Sequence, residues 1–213
     1  MNNLLNISQQ YVYIKDLRDT LDWTLIDQEF KRLTFKPNVG NKISLEMNFF
    51  DKDVFLDAKL ILEKECKNYL DLAFGLNDLY EGVKLTNSWA TLTDPGTNHH
   101  PHVHPFSIVS GVIFLDNNPD NLNLFIEAYM PQLPYFITKD KSYMGLKHLL
   151  QDTGHDSAGN RNLQNHVILF LSNASHFVET TPANSISRRT LSFNTFWKGH
   201  TGLKNEPLGS YKF

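Results

Sequence analysis

The second half of the chain consists of short apolar segments, several of which alternate with polar residues. Alternation with a period of two predicts strands, and the breaks between these segments carry Gly, Pro, Asn, Asp and Ser. Because no regular helical segment stands between the strands, the pattern favours an antiparallel sandwich or barrel over a parallel sheet with crossover helices. The predicted strands are 84–93, 103–114 (one strand, or two broken near Gly111), 122–129, 166–172, 176–180 and 188–197.

One long segment follows the helical period instead. Between residues 53 and 74 apolar residues recur at spacings of three and four, which predicts an amphipathic helix on the outside of the sheets. Asp51 or Asp53 can cap its start, and Gly75 follows its end. Cys66 lies on the apolar stripe, so we expect a buried structural thiol. Earlier apolar runs at 11–14, 23–26 and 43–47 predict short strands or irregular structure.

Composition narrows the class of protein. The 213 residues contain no internal repeat and no linker-like stretch, which fits one domain over residues 1–213. The net charge of −3 offers no general attraction to nucleic acid or to anionic membranes. The single cysteine excludes an internal disulfide, and the sequence has neither a targeting segment nor an apolar run of about 20 residues. We therefore expect a soluble, cytoplasmic protein.

Four of the nine histidines lie within six residues. His102 and His104 are two residues apart, so on a strand both imidazoles point to one face and can bind the same metal ion. His176 is the best candidate for a third ligand, because it begins a predicted strand after a Ser-Asn-Ala-Ser turn. His99 and His100 fall in the preceding loop and are less favoured. The alternative is a metal-binding tract without a biological role. His148, His155, His166 and His200 are scattered and are expected to be structural or surface residues.

A polar face follows His176 along the chain. Strand parity places Arg188 and Thr190 on one face, with Ser192 and Asn194, and places Arg189 on the other. A guanidinium beside a hydroxyl is a suitable receptor for a carboxylate, because its planar fork binds both oxygens. The alternative is an arginine on an edge strand that forms a surface ion pair.

Taken together, these blocks resemble a known family. Their order and spacing are similar to those of the 2-oxoglutarate/Fe(II)-dependent oxygenases, small bacterial and phage proteins of the prolyl hydroxylase-like superfamily, over about residues 54–197. The matching segments are Ser88-Trp89, Pro95-Gly96, His102-Val103-His104-Pro105, Ser110-Gly111-Val112, Ile168-Leu169-Phe170 with Ser172, His176, and Arg188-x-Thr190-x-Ser192-Phe193-Asn194.

The resemblance implies a mainly β fold with flanking helices, namely a double-stranded β-helix (jelly roll, cupin-like). It also implies that His102, His104 and His176 bind Fe(II), and that Arg188 and Thr190 bind the far carboxylate of the cosubstrate 2-oxoglutarate. The wider superfamily has a carboxylate as the middle ligand, so His104 is a departure from it, although the family itself has histidine there. If His104 is not a ligand, Asp94 or Asp116 is the candidate in its place. Two further departures are Phe114 in place of a common Tyr and Leu171 in place of Pro.

We therefore expect an Fe(II)- and 2-oxoglutarate-dependent dioxygenase, a hydroxylase that releases succinate and CO2. The alternatives are a cupin-like metal-binding module without catalysis and a three-histidine dioxygenase that does not use 2-oxoglutarate. The expected substrate is a small molecule, a peptide or a protein, with no nucleic acid and no membrane as partner, and the sequence leaves the oligomeric state open. Residues 94–101 and the polar insertion 139–164 are candidates for the walls or lid of the site.

Overall fold

Two antiparallel sheets form the body of the protein in the computed structural model, which describes residues 11–118, 124–127, 143–145, 162–201 and 211–212. The seven-stranded major sheet has the order β1 (Tyr13–Asp16), β9 (His166–Leu171), β6 (Val109–Phe114), β11 (Arg188–Trp197), β4 (Val83–Thr93), β3 (Lys42–Ser44) and β2 (Phe35–Pro37). The four-stranded minor sheet has the order β5 (His99–His102), β10 (His176–Val178), β7 (Leu124–Glu127) and β8 (Tyr143–Gly145). A short pair, β12 (His200–Thr201) and β13 (Tyr211–Lys212), completes the described strands.

Apolar side chains on both faces of the major sheet explain its position between two other layers. On β9, Val167 and Leu169 pack in one core with residues of the long helix α2 (Leu56–Phe74). Ile168 and Phe170 point to the opposite face and pack in a second core with residues of the minor sheet. A strand buried on both faces has a continuous apolar sequence, as residues 167–171 do. The architecture is therefore helix, major sheet and minor sheet, which confirms the predicted mainly β class with flanking helices.

Both α-helices differ from the prediction at their N-terminal ends. The long helix was predicted over residues 53–74, but Asp53–Phe55 form a 3-10 turn, and neither Asp51 nor Asp53 caps α2 because Phe55 is its N-cap. Gly75 ends the helix in a left-handed conformation with a φ of 66°, as expected of a C-terminal glycine. The run 23–26 was predicted as a short strand or irregular structure and is instead the start of α1 (Trp23–Lys31), where Asp22 caps Leu25 N at 2.9 Å.

Two strand predictions also need correction. The predicted segment 103–114 does not break at Gly111, which lies inside β6; the break falls at 103–108, where Phe106 has a φ of 58°. Residues 99–101, predicted as the end of a loop, belong to β5. Within the polar insertion 139–164, residues 143–145 form strand β8, and most of the insertion lies outside the described residues. Within the described part of the chain, neither helix has the length and apolarity needed to cross a bilayer.

Candidate metal centre

Three histidines from separate segments meet at one end of the space between the sheets. His102 is the last residue of β5, and His176, the first residue of β10, lies opposite it in the antiparallel register. His104 lies two residues beyond β5, where its backbone N–H donates to Ser172 O at 2.9 Å. One nitrogen from each of the three rings lies within 4.8 Å of the other two. The expectation that both residues of the His-x-His pair lie on a strand is therefore wrong, yet both rings reach the same point and the intervening Val103 is 48% exposed.

Hydrogen bonds at Nδ1 orient each ring. His102 Nδ1 lies 2.8 Å from His100 O, and His176 Nδ1 lies 3.0 Å from Ala174 O. His104 Nδ1 lies 3.0 Å from Nδ2 of Asn194. With Nδ1 engaged, the Nε2 atoms of His104 and His176 face each other at 3.2 Å. Two adjacent ligands at about 2.1 Å from one metal ion stand about 3.0 to 3.4 Å apart, so this spacing suits a shared ion.

The environment keeps these imidazoles neutral. Burial, with the neighbouring His102, lowers the pKa of His104 to about 4, and burial with nearby histidines lowers the pKa of His176 to about 3. Burial also lowers the pKa of His102. A neutral imidazole with a free Nε2 lone pair is the form that binds metals. All three imidazoles are therefore uncharged at neutral pH, as metal binding requires.

Arg188 lies in the same cavity as the three histidines. It is 3% exposed, and its Nη2 donates to Thr93 Oγ1 of the neighbouring strand at 3.3 Å. Because β11 lies between β6 and β4, Arg188 is not on an edge strand, and the alternative of an edge-strand arginine is wrong. Thr190 follows on the same face and also lines the cavity. Apolar lining comes from Trp89, Val112, Phe114, Leu124, Phe170, Phe177 and Val178.

The adjacent arginine, Arg189, points the other way. It donates to both carboxylate oxygens of Asp116, with its shortest bond at 2.6 Å, and to Asp27 at 2.6 Å. Asp94, the other carboxylate considered as a ligand, accepts from Lys42 at 2.6 Å and from the Ser187 hydroxyl. Neither Asp94 nor Asp116 belongs to the three-histidine group.

Two residues to which the sequence assigned no role also belong to the site. His99 lines the cavity, with its ring 4.3 Å from that of His102, and burial lowers its pKa to about 3. Trp89 stacks on His104 with ring centroids 5.6 Å apart. Strand parity from Trp89 to Thr93 on β4 is the signal that places the tryptophan on the cavity face. Of the other histidines, His166 begins β9 and lies 3.9 Å from Asp16 of the edge strand β1, and His200 lies on β12. His148 and His155 fall outside the described residues.

Comparisons with known proteins give a consistent result. The sequence profile of the family described as "Putative 2OG-Fe(II) oxygenase" matches residues 87–194, just over half of the chain. No curated protein sequence is significantly similar to this chain.

Similar solved structures share the fold at low sequence identity. An oxidoreductase of the 2OG-Fe(II) oxygenase family from Burkholderia pseudomallei is 14% identical, with a TM-score of 0.54 over 86% of this chain and 83% of that one. A Pseudomonas putida prolyl-4-hydroxylase is 15% identical, with a TM-score of 0.53 over 88% and 93%. HygX from Streptomyces hygroscopicus, solved with nickel, 2-oxoglutarate and hygromycin B, is 9% identical, with a TM-score of 0.54 over 91% and 85%. The predicted double-stranded β-helix is therefore confirmed.

Proposed function

The chain belongs to the 2OG-Fe(II) oxygenase family, and from that premise we propose that it is an Fe(II)- and 2-oxoglutarate-dependent dioxygenase that hydroxylates its substrate. One observation carries the proposal. Three neutral imidazole nitrogens that converge within 4.8 Å share a buried cavity with the guanidinium of Arg188. A metal site and an anion receptor in one cavity are what a metal-chelating dicarboxylate requires.

The donor set fits Fe(II). Imidazole nitrogens suit Fe(II), and a site that offers three protein ligands leaves further positions open for a cosubstrate and oxygen. His102, His104 and His176 would hold the ion. Because no carboxylate belongs to this group, the bound ion would keep its full charge of two, which favours a dianionic cosubstrate such as 2-oxoglutarate.

Arg188 and Thr190 would bind the far carboxylate of 2-oxoglutarate. The fork of Arg188 can donate two parallel hydrogen bonds, and the Thr190 hydroxyl can add a third. Thr93 restrains the guanidinium at 3.3 Å, so less rotamer freedom is lost on binding. The 2-oxoglutarate end of the cavity would then lie at the start of β11, with the metal end at β5 and β10.

When bound, the metal and cosubstrate together would supply the oxidising chemistry, in which one atom of O2 converts 2-oxoglutarate to succinate and CO2 and the other hydroxylates the substrate. The protein contributes the ligands, the carboxylate receptor and a cavity from which aromatic side chains exclude water. Phe114, Phe170 and Phe177 line it. The loop 94–98 is tied down through Gly96 N to Thr181 O at 3.1 Å, and residues 99–102 form a wall of the cavity rather than a lid.

The proposed substrate class is based on the similar solved structures. Because a prolyl-4-hydroxylase and a structure that holds hygromycin B share this fold, we propose a small molecule, a peptide or a protein as substrate.

An anaerobic titration tests the proposal. Addition of Fe(II) and then 2-oxoglutarate should give the weak visible charge-transfer band of the chelate, and admission of oxygen should convert 2-oxoglutarate to succinate. Metal binding without the band would favour a non-catalytic metal-binding module. Oxygen consumption with a substrate but without 2-oxoglutarate would favour a three-histidine dioxygenase that does not use it. Either result contradicts the proposal.

A further inference from the structure

Asn194 connects His104 to a chain of three serine hydroxyl groups, two of which, on Ser110 and Ser172, are buried. Its amide nitrogen lies 3.0 Å from His104 Nδ1, and its amide oxygen lies 2.8 Å from Ser110 Oγ. Ser110 Oγ lies 2.8 Å from Ser172 Oγ, which lies 2.7 Å from Ser107 Oγ. This series of hydrogen bonds ends at a backbone carbonyl, Thr195 O, which lies 3.1 Å from Ser107 Oγ. The middle histidine therefore differs from the other two in what contacts its Nδ1.

A carbonyl oxygen only accepts hydrogen bonds. At His102 and His176 the Nδ1 partner is such an oxygen, so Nδ1 carries the proton and Nε2 keeps its lone pair. At His104 the partner is a side-chain amide, which can present either a donor or an acceptor. The tautomer of His104 thus depends on which end of the Asn194 amide faces it.

Two complete hydrogen-bond networks satisfy these atoms. In the first, Asn194 Nδ2 donates to His104 Nδ1, and the ring proton sits on Nε2, which donates to His176 Nε2 at 3.2 Å. In the second, a half-turn of the amide presents Oδ1 to a protonated Nδ1 of His104. Nε2 then has a free lone pair, and only this second network makes His104 a metal ligand.

The serine chain allows the half-turn without leaving a buried polar group unpaired. In the second network Asn194 Nδ2 donates to Ser110, Ser110 to Ser172, Ser172 to Ser107, and Ser107 to Thr195 O. Each hydroxyl simply reverses its donor direction, and either oxygen of each Ser–Ser pair can be the donor. Buried polar groups need a hydrogen-bond partner in both orientations of the amide, and the three serine hydroxyl groups provide one in each.

Resting on the proposed function, we propose that Asn194 is a positioning residue that selects the ligating tautomer of His104. It does so by turning Oδ1 toward Nδ1–H, while the hydroxyls of Ser110, Ser172 and Ser107 reverse direction. Partners of this kind behind a metal-binding histidine typically change metal affinity 10- to 100-fold.

Zn(II) affinity, measured by competition with a chelating dye, tests the role of the amide. Asn194→Leu removes the acceptor at similar volume and should weaken Zn(II) binding about 10- to 100-fold. Asn194→Asp accepts only, so it should bind Zn(II) at least as tightly as the wild type. Asn87→Leu is the matched control, because Asn87 lies opposite Asn194 on β4 but its side chain accepts a hydrogen bond from Thr86 Oγ1; the affinity of this variant should not change.

Nitrogen NMR of the His104 ring separates positioning from folding. The wild type without metal should carry the proton on Nε2, whereas the zinc form and metal-free Asn194→Asp should carry it on Nδ1. Circular dichroism verifies that each variant folds. If Asn194→Leu does not fold, the position of the His104 ring proton in metal-free Asn194→Asp, compared with the wild type, still tests the proposal. Wild-type affinity in folded Asn194→Leu, or an Nε2 proton in metal-free Asn194→Asp, would overturn the proposal.

The two proposals fail separately. If the wild type gives the 2-oxoglutarate band but folded Asn194→Leu binds Zn(II) normally, only the role of Asn194 is wrong. If the Asn194 variants behave as expected but no band forms, the tautomer selection stands and the dioxygenase assignment fails.

Discussion

His176 and His102 are paired directly across the antiparallel strands β10 and β5, and their ring centroids lie 4.2 Å apart. The spacing of two of the three rings is thus set by sheet register rather than by loop geometry. A slip of one residue would turn His176 to the other face of the sheet and remove it from the group. His104 then joins from a turn that is itself fixed, because its backbone N–H bonds to Ser172 O.

This arrangement predicts that each of the three histidines is needed for metal binding. His102→Ala, His104→Ala and His176→Ala should each weaken Fe(II) or Co(II) binding by at least about tenfold, because each removes one of three ligands. His166→Ala serves as the control, since His166 lies at the start of β9 opposite Asp16 of the edge strand β1 and outside the three-histidine group, and it should bind metal normally. Calorimetric titration measures the affinities, and unchanged binding in any of the three variants would remove that histidine from the ligand set.

The neighbouring arginines should separate cosubstrate binding from stability. Arg188→Ala should weaken 2-oxoglutarate binding about 10- to 100-fold, since charge-assisted hydrogen bonds contribute about 1.5–3 kcal/mol. Arg189→Ala should leave that binding unchanged but lower the free energy of unfolding by about 1–3 kcal/mol, because Asp116 loses its partner. The charge-transfer band measures 2-oxoglutarate binding, and urea unfolding measures stability. If Arg189→Ala weakened 2-oxoglutarate binding and Arg188→Ala did not, Arg188 would not be the cosubstrate receptor.

Strand parity was the reliable part of the sequence argument. The predicted strand 188–197 has the bounds of β11, so the alternation that put Arg188 and Arg189 on opposite faces holds in the structure. Strand parity does not explain how His102 and His104 meet, because no single strand carries both. The chain leaves β5 at His102, and the turn through Phe106 depends on long-range contacts that no local pattern reveals.

Helix starts show a second limit of local reasoning. Asp22 is an N-cap residue followed by a mixed apolar run, but that run is too short for its period to distinguish helix from strand. The hydroxyl chain behind His104 was equally out of reach, since Ser110, Ser172 and Asn194 come together only through strand pairing. Side chains that meet across β6, β9 and β11 have no common sequence signature.

Gly111 and Phe193 should be strongly coupled in stability. They are paired across β6 and β11, and a Cβ at residue 111 would overlap the ring of the fully buried Phe193. Gly111→Ala should therefore destabilise the fold by about 1–3 kcal/mol, the usual cost of overpacking. In combination with Phe193→Leu, which makes room, it should cost less than the sum of the two single changes. Urea unfolding of the wild type, the two single variants and the double variant measures the coupling. Additive free energies would show that the methyl group introduced at residue 111 does not contact the Phe193 ring.

Cys66 should be chemically inert in the folded protein. The residue is 0% exposed on the apolar face of α2, and burial raises the pKa of its thiol well above the usual range. A thiol reagent such as DTNB attacks the thiolate, so reaction requires the chain to open. With an unfolding free energy of at least about 5 kcal/mol, the native protein should react at least about a thousandfold more slowly than the protein in denaturant. Because this is the single cysteine of the chain, the released chromophore reports on it alone, and rapid modification of the native protein would mean that α2 opens without global unfolding.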